Sequence, residues 1–292
     1  MLNFSLANFY NGYAVNQMFL NIIGEHRDYL KRPIAFNQIT GSFPFNSWNG
    51  DINSNIGENI PLNDKIDECF KNNILSLRLN FANMLLDEKE FYNNYNRVML
   101  EKGGNGATAI ELCNLQLYEY LKTTYPTYKK FILSPNAKTM MGDQFTPEVV
   151  NVIGENEDFQ LISLPPSCVT EEFLSQVKCK SKIEICINPL CPMTCKHYDE
   201  CVLGENKLQF DFSGNTMIAA CAKRYKYDMN PNVIPLEELD KYTKQGITHF
   251  KLSSCPPNEM TQYFLFLVKY FIKEEYQQEI IEQGFLQITG GI

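Results

Sequence analysis

No apolar run in this sequence approaches the roughly 18 residues that cross a bilayer. The longest, Tyr263 to Ile272, is broken by Lys269 and fits a buried helix, so no membrane partner is expected. A secretory opening is also missing. Met1-Leu-Asn-Phe-Ser turns polar too early for one, which points to a cytoplasmic chain. Positive charge is in deficit, with 26 Lys and Arg against 34 Asp and Glu and a net charge of −8. That balance does not favour nucleic acid as a partner. No Gly-rich turn follows the first expected strand, which excludes a dinucleotide-binding fingerprint. Gly103-Gly-Asn-Gly106 precedes an expected strand and reads as a helix stop, not a phosphate cradle. Tryptophan occurs once, at Trp48.

Short strands alternating with helices fill most of the chain. Strands are expected at 34–41, 75–80, 108–113, 130–134, 159–164, 183–188 and 248–253. Helices are expected between them, with a closing helix over 259–279. This alternation means βαβ units and a parallel sheet. Seven strands, with an eighth sought between 207 and 234, favour a closed α/β (β/α) TIM-like barrel as a single domain over 1–292. Residues 1–33 read as an N-terminal helical segment and 189–232 as an irregular Cys-rich insertion.

Polar side chains recur at every second position of several strands. Arg78 and Asn80 share a face, as do Glu111 and Cys113, then Glu184, Cys186 and Asn188, then His249, Lys251 and Ser253. In a barrel that face lines the lumen and rises toward the C-terminal mouth, where barrel active sites lie. Buried charge is costly unless paired, so the two glutamates are expected to pair with Arg78 and Lys251. Glu184, Arg78 and Lys251 are the candidate catalytic residues. Asn80, Asn114, Asn188 and His249 are candidate substrate contacts. A purely structural set of ion pairs filling the barrel is the alternative, with Asn114 as a helix cap. The polar loop around Trp48 and Asn49 reads as a binding loop over the site, or else as an Ω-loop packed by its own side chains.

Ten cysteines in a reducing compartment serve metals or chemistry more than disulfides. Cys69 and Cys113 sit in apolar patterns and read as core residues. The set Cys191-x3-Cys195-x5-Cys201-x19-Cys221 is different, because it follows directly on the strand that Pro189 and Pro192 end. Four thiolates satisfy a [4Fe-4S] cluster or a tetrahedral zinc. Paired-cysteine zinc spacing is missing, which favours the cluster. Zinc, with His197 as an alternative ligand, and free thiols remain open readings.

The phrase Lys182-Ile-Glu-Ile-Cys-Ile-Asn-Pro-Leu-Cys191 leading into that set, Asn114 after a strand, Tyr125-Pro126, and Gly246-Ile-Thr-His-Phe-Lys251 together resemble the collagenase-like peptidase family of barrels. The Gly41-Ser-Phe-Pro and Trp48-Asn-Gly50 segment is similar to an uncharacterised bacterial branch of such barrels. The resemblance implies a TIM-like barrel with a [4Fe-4S] cluster on four cysteines. It also implies redox or oxygen-independent hydroxylation chemistry on a small molecule or a modified macromolecule, with an electron-transfer or heterodimer partner. A zinc-containing hydrolase of peptidase type, with Glu184 as general base, is the alternative. A non-catalytic ligand-binding barrel is the third reading.

Overall fold

Leu2, Phe4 and Leu6 alternate with Asn3 and Ser5, a period of two that sends the apolar set to one side of a strand. In the computed structural model this segment is β1 (Leu2–Leu6), not part of a helix. The structure describes residues 1–44, 46–50, 67–71, 74–104, 106–191, 195–208, 230–255 and 257–288. The N-terminal helical segment is thereby corrected. Five extended residues come first, then α1 (Tyr13–Glu25) and a 3-10 turn, Arg27–Tyr29. The short alternation of β1 is swamped, in any sequence window, by the longer apolar pattern of the helix behind it.

The remaining strands are β2 (Ile34–Gly41), β3 (Ser76–Phe81), β4 (Ala109–Leu112), β5 (Phe131–Leu133), β6 (Phe159–Leu164), β7 (Ile183–Cys186) and β8 (His249–Lys251). They follow one another in order and close into a barrel, every neighbouring pair parallel. Closure comes from β1 lying against β8, with Asn3 opposite His249 and Ser5 opposite Lys251. The eighth strand is therefore at the N-terminus. Of the interval 207–234, where the sequence allows an eighth strand, positions 209–229 lie outside the described residues.

Helices α2 (Asn94–Gly103), α3 (Leu115–Thr124), α4 (Asn136–Met141), α5 (Pro147–Glu155), α6 (Glu171–Gln176), α7 (Tyr198–Leu208), α8 (Asp240–Thr243), α9 (Met260–Phe271) and α10 (Glu274–Ile288) accompany the strands. Side-chain caps fix several starts: Asn93 for α2, Asn114 for α3, Thr146 for α5 and Thr170 for α6, each accepting from a first-turn N–H. The helix expected over 87–101 is split, because a 3-10 turn (Glu88–Tyr92) precedes the Asn93 cap. The closing helix over 259–279 is split too. Ile272 forms an antiparallel bridge with Leu30, and the Lys31 and Lys273 amides donate to the Phe271 and Tyr29 carbonyls at 2.9 Å each. That backbone pairing replaces the helical bonds that would carry α9 into α10.

The core lies between barrel and helices. Phe4, Phe36 and Phe19 gather around Phe271, with Phe4–Phe271 and Phe36–Phe271 centroids 4.9 and 5.0 Å apart in edge-on geometry. Such pairs add roughly 0.5–1.5 kcal/mol each beyond the area they bury. Cys69 and Cys113 are buried there as read, and burial pushes the Cys113 thiol up to about 12. The lumen holds a second, small apolar cluster of Ala109, Ile132 and Leu161. No helix among the described residues is long and apolar enough to cross a membrane.

The segment read as an irregular insertion contains α7, held across the mouth at both ends. The Asp199 carboxylate accepts from Thr139 Oγ1 at 2.6 Å and Lys138 Nζ at 3.3 Å, both on α4. At the other end Asn206 Oδ1 accepts from the Met84 amide at 2.6 Å, and Asn83 Nδ2 donates to the Asn206 carbonyl at 3.1 Å. The helix thus spans from the loop after β3 to α4, the helix that follows β5.

Candidate functional site

Strand pairing brings the alternating polar side chains together in the lumen. Thr40 stands beside Arg78, Asn80 beside Glu111, Ser163 beside Glu184, and Cys186 beside Lys251. Arg78 is fully buried and serves two carboxylates. Its Nη1 donates to both oxygens of Glu184 at 2.8 Å, and its Nε lies 2.9 Å from Glu111 Oε2 with the N–H pointing off that oxygen. Lys251 Nζ donates to the other Glu111 oxygen at 3.0 Å. Ser5 and Ser163 hydroxyls, each at 3.0 Å, complete the shell of Glu184. Two positive and two negative groups therefore balance, as pairing across the lumen was expected to require.

Electrostatics follow from this geometry. Burial works against the Glu184 charge, but Arg78 and then Lys251 outweigh it and hold the carboxyl below its usual range. Burial likewise opposes the Arg78 charge, and the two glutamates more than compensate, raising it. The Cys186 thiol is pushed up by burial, with Lys251 pulling the other way, so it stays neutral and shares a hydrogen bond with Ser253 Oγ at 3.1 Å, in which either group can donate.

Above this network the C-terminal mouth opens into a pocket of about 180 Å³. Glu111, Lys251, Asn80 and Cys186 contribute to its floor, while Cys191, Cys201, Tyr198 and Glu205 reach it from the Cys-rich segment. Lys251, 12% exposed, is the cationic group that borders the space among the described residues. Asn80 Oδ1 is buried with no hydrogen-bond partner among the described residues. Burial raises Tyr198, whose hydroxyl lies in the field of Cys191, Glu205 and Cys186.

The sequence-derived candidates divide by depth. Lys251 and Asn80 line the pocket. Arg78 and Glu184 lie beneath it, fully buried, and support Glu111 and the strand walls. Trp48 and Asn49 are also fully buried. Trp48 Nε1 donates to the Glu90 carbonyl at 2.8 Å and its ring packs edge-on to Phe81 at 5.1 Å, so this loop is anchored by its own side chains. Gly50, which follows Trp48 and Asn49, lines the pocket. Asn114 caps α3 through Oδ1 and donates to the Leu86 carbonyl at 3.1 Å. Asn188 Oδ1 accepts the Ser253 amide at 2.8 Å and ties the ends of β7 and β8. His249 sits one lumen position below Lys251, half-buried, opposite Glu184 and Asn3.

Pocket residues that sequence reading passed over include Thr40, Ser134, Tyr198 and Glu205. Thr40 carried the alternation signal of β2. Tyr198 and Glu205 lie in the Cys-rich stretch that the sequence presents as irregular, and the structure folds it there into α7.

The thiols part company. Cys191 and Cys201 line the mouth pocket, with Cys186 on its floor. Cys195 lines a neighbouring depression of about 210 Å³ with Lys138, Ser167 and Asp199. Cys221 lies outside the described residues. Among the described residues no group of three or more His, Cys, Asp or Glu side chains is placed to hold a metal ion. The described thiols therefore do not by themselves make a four-ligand centre. His197 is on the surface, its Nδ1 2.9 Å from Glu200 Oε2.

His249 supplies a pH test. Burial lowers its pKa, with Glu184 opposing and Arg78 adding. A lowered folded value means the unfolded chain binds the extra proton first. Stability is thus complete above the ordinary histidine range, roughly 6.5, and is lost as pH falls below it. His249→Asn is expected to lose less stability than the parent between roughly pH 7.5 and 5.5 in urea unfolding. Equal losses would remove the burial argument.

Comparison with protein-family models, with curated proteins and with solved structures finds no match to this chain.

Proposed function

We propose that the protein is a barrel enzyme whose polar substrate sits in the mouth pocket between Lys251 and the cysteine-bearing helix α7. The observation that carries this reading is that Cys186, Cys191 and Cys201 line the same pocket as Lys251, Glu111 and Asn80. Sulfur and a partly exposed ammonium are there brought against one concave space at the barrel's C-terminal end. The space, about 180 Å³, is smaller than the roughly 300–1,000 Å³ typical of larger ligands. That favours a small molecule, or a single group of a modified macromolecule.

The residues assign roles to such a group. Lys251 spends one N–H on Glu111 and has two more to offer a carbonyl or anionic oxygen. Asn80 Oδ1 accepts from a hydroxyl or amide N–H of the same ligand. Arg78 and Glu184 are positioning residues, because they hold Glu111, and through it the Lys251 ammonium, from below.

The second part of the reading is that the Cys-rich segment holds an iron–sulfur cluster in a cytoplasmic enzyme. The support is the cysteine spacing, its resemblance to the collagenase-like peptidase family and the convergence of Cys191 and Cys201 on the pocket. A complete centre needs Cys195 and Cys221 to join them, and the binding roles of Lys251 and Asn80 do not depend on it. A cluster would supply one-electron transfer, suited to redox or oxygen-independent hydroxylation.

Anaerobic purification of the full chain tests this. Iron and acid-labile sulfide in equal amounts, with a broad visible absorbance, are expected. Cys191→Ser and Cys201→Ser are each expected to abolish both. A colourless, iron-free protein overturns the cluster, and stoichiometric zinc without sulfide replaces it with the hydrolytic alternative.

A further inference from the structure

A second concave site lies on the rim, formed by the 3-10 turn after β3 and the start of α3. It is a depression of about 490 Å³ whose walls include Phe91, Tyr92, Tyr120, Glu88 and Glu119. Tyr92 is 75% exposed, a large aromatic that contributes little to the core. Its ring meets Tyr120 at 74° with centroids 5.7 Å apart, forming a corner. Phe91 lies 5.3 Å from Tyr120 at 32° and closes the back. Three aromatic rings therefore border one space, two of them nearly perpendicular.

Aromatic faces carry the negative part of the ring quadrupole and attract cations within about 6 Å. Two exposed carboxylates, Glu88 and Glu119, add formal charge of the same sign, and no Lys or Arg is among the lining residues that the structure describes. The α3 N-terminus, which would oppose a cation, is partly discharged. Asn114 Oδ1 takes the Gln116 and Leu117 amides at 2.8 and 3.2 Å. A primary ammonium is strongly hydrated and loses much on entering an aromatic corner, whereas an alkylated one loses little.

We propose that this rim depression binds a small quaternary or alkylated ammonium ion, held by Phe91, Tyr92 and Tyr120 and attracted by Glu88 and Glu119. It is separate from the mouth pocket, with which it shares no lining residue.

The single tryptophan stands behind this site, its ring 6.4 Å from Phe91 and 6.5 Å from Tyr120. Choline titrated into the full chain is therefore read by Trp48 emission and, independently, by saturation transfer from protein to the choline methyl protons. Saturable binding is expected, at least about tenfold tighter than for 3,3-dimethyl-1-butanol, the neutral isostere. Tyr92→Ala, at an exposed position, should weaken choline by about threefold to tenfold. Glu119→Gln should weaken it by roughly threefold, an effect that added salt diminishes. No saturation transfer to choline, or equal binding of the alcohol, overturns the proposal. So does a Tyr92→Ala chain that binds choline like the parent. If Nα-acetyl-lysine amide, whose ε-amine is a free primary ammonium, binds as tightly as choline, the site reads a primary ammonium side chain and the proposal also falls.

Discussion

Arg78→Met is expected to destabilise the protein by about 3–5 kcal/mol, enough to leave much of the chain unfolded. The cause is what remains behind. Glu111 and Glu184 are both buried, and Arg78 is the group that neutralises the pair together with Lys251. Removing it leaves Glu184 with two serine hydroxyls and, among the described residues, no cation in contact, only the more distant field of Lys251. A carboxylate in that position loses far more by desolvation than two hydroxyl donors return.

Two controls separate this account from simple loss of packing. Adding Glu184→Gln to Arg78→Met should recover at least about 2 kcal/mol, because the amide carries no charge, its oxygen accepts from one of the two serine hydroxyls and its NH2 donates to the oxygen of the other. Acid should also help the single variant relative to the parent. In the parent, Glu184 has a lowered pKa, so its contribution is present above the ordinary glutamate range, roughly 4.3, and is lost as pH falls through the folded value. In Arg78→Met the same carboxyl is raised by burial, and its penalty is relieved as pH falls through that raised value. The difference between the two proteins should therefore shrink on acidification. A gap that is constant in urea unfolding from neutral to acid pH would show that charge burial is not its source.

Gly50→Ala is the second large effect, expected at about 2–3 kcal/mol. A Cβ built at Gly50 meets the carbonyl carbon, the oxygen and the Cβ of Ala82, all at 2.6 Å. Neither side can easily retreat. The Trp48 carbonyl accepts the Asn83 amide at 3.0 Å, and Asn83 Nδ2 donates to the Ser47 carbonyl at 2.7 Å. Asn136 Nδ2 bonds both the Gly50 and Ala82 carbonyls, at 3.2 and 3.0 Å. Moving the loop to admit a methyl group breaks these bonds and displaces one wall of the mouth pocket. Ala82→Gly in the same chain should restore only part of the loss, because the backbone contacts remain. Thermal unfolding of the three proteins checks this, and a Gly50→Ala chain as stable as the parent would refute the close approach of the two loops.

Sequence periodicity was enough to assign sides. Arg78, Glu111, Glu184 and Lys251 fell on one strand face and Leu77, Leu79, Ile110 and Phe250 on the other. Alternation is a property of the local extended backbone, and the cost of unpaired buried charge then required the four to meet. Depth along the barrel axis is another matter, because it depends on how each strand registers against its neighbours. Only the folded barrel decided that Arg78 and Glu184 lie sealed below the pocket while Lys251 and Asn80 border it. The same holds for the lone tryptophan, whose burial under Phe81 and the Glu90 carbonyl comes from segments remote in sequence. β1 carried too few residues to stand out locally and exists because β2 and β8 pair with it on both sides. The cysteine spacing announced sulfur beside a strand end, but the folded chain decided which thiols face the mouth: Cys201 through the anchoring of α7 by Asp199 and Asn206, and Cys191 where Asn232 Nδ2 donates to its carbonyl at 3.0 Å.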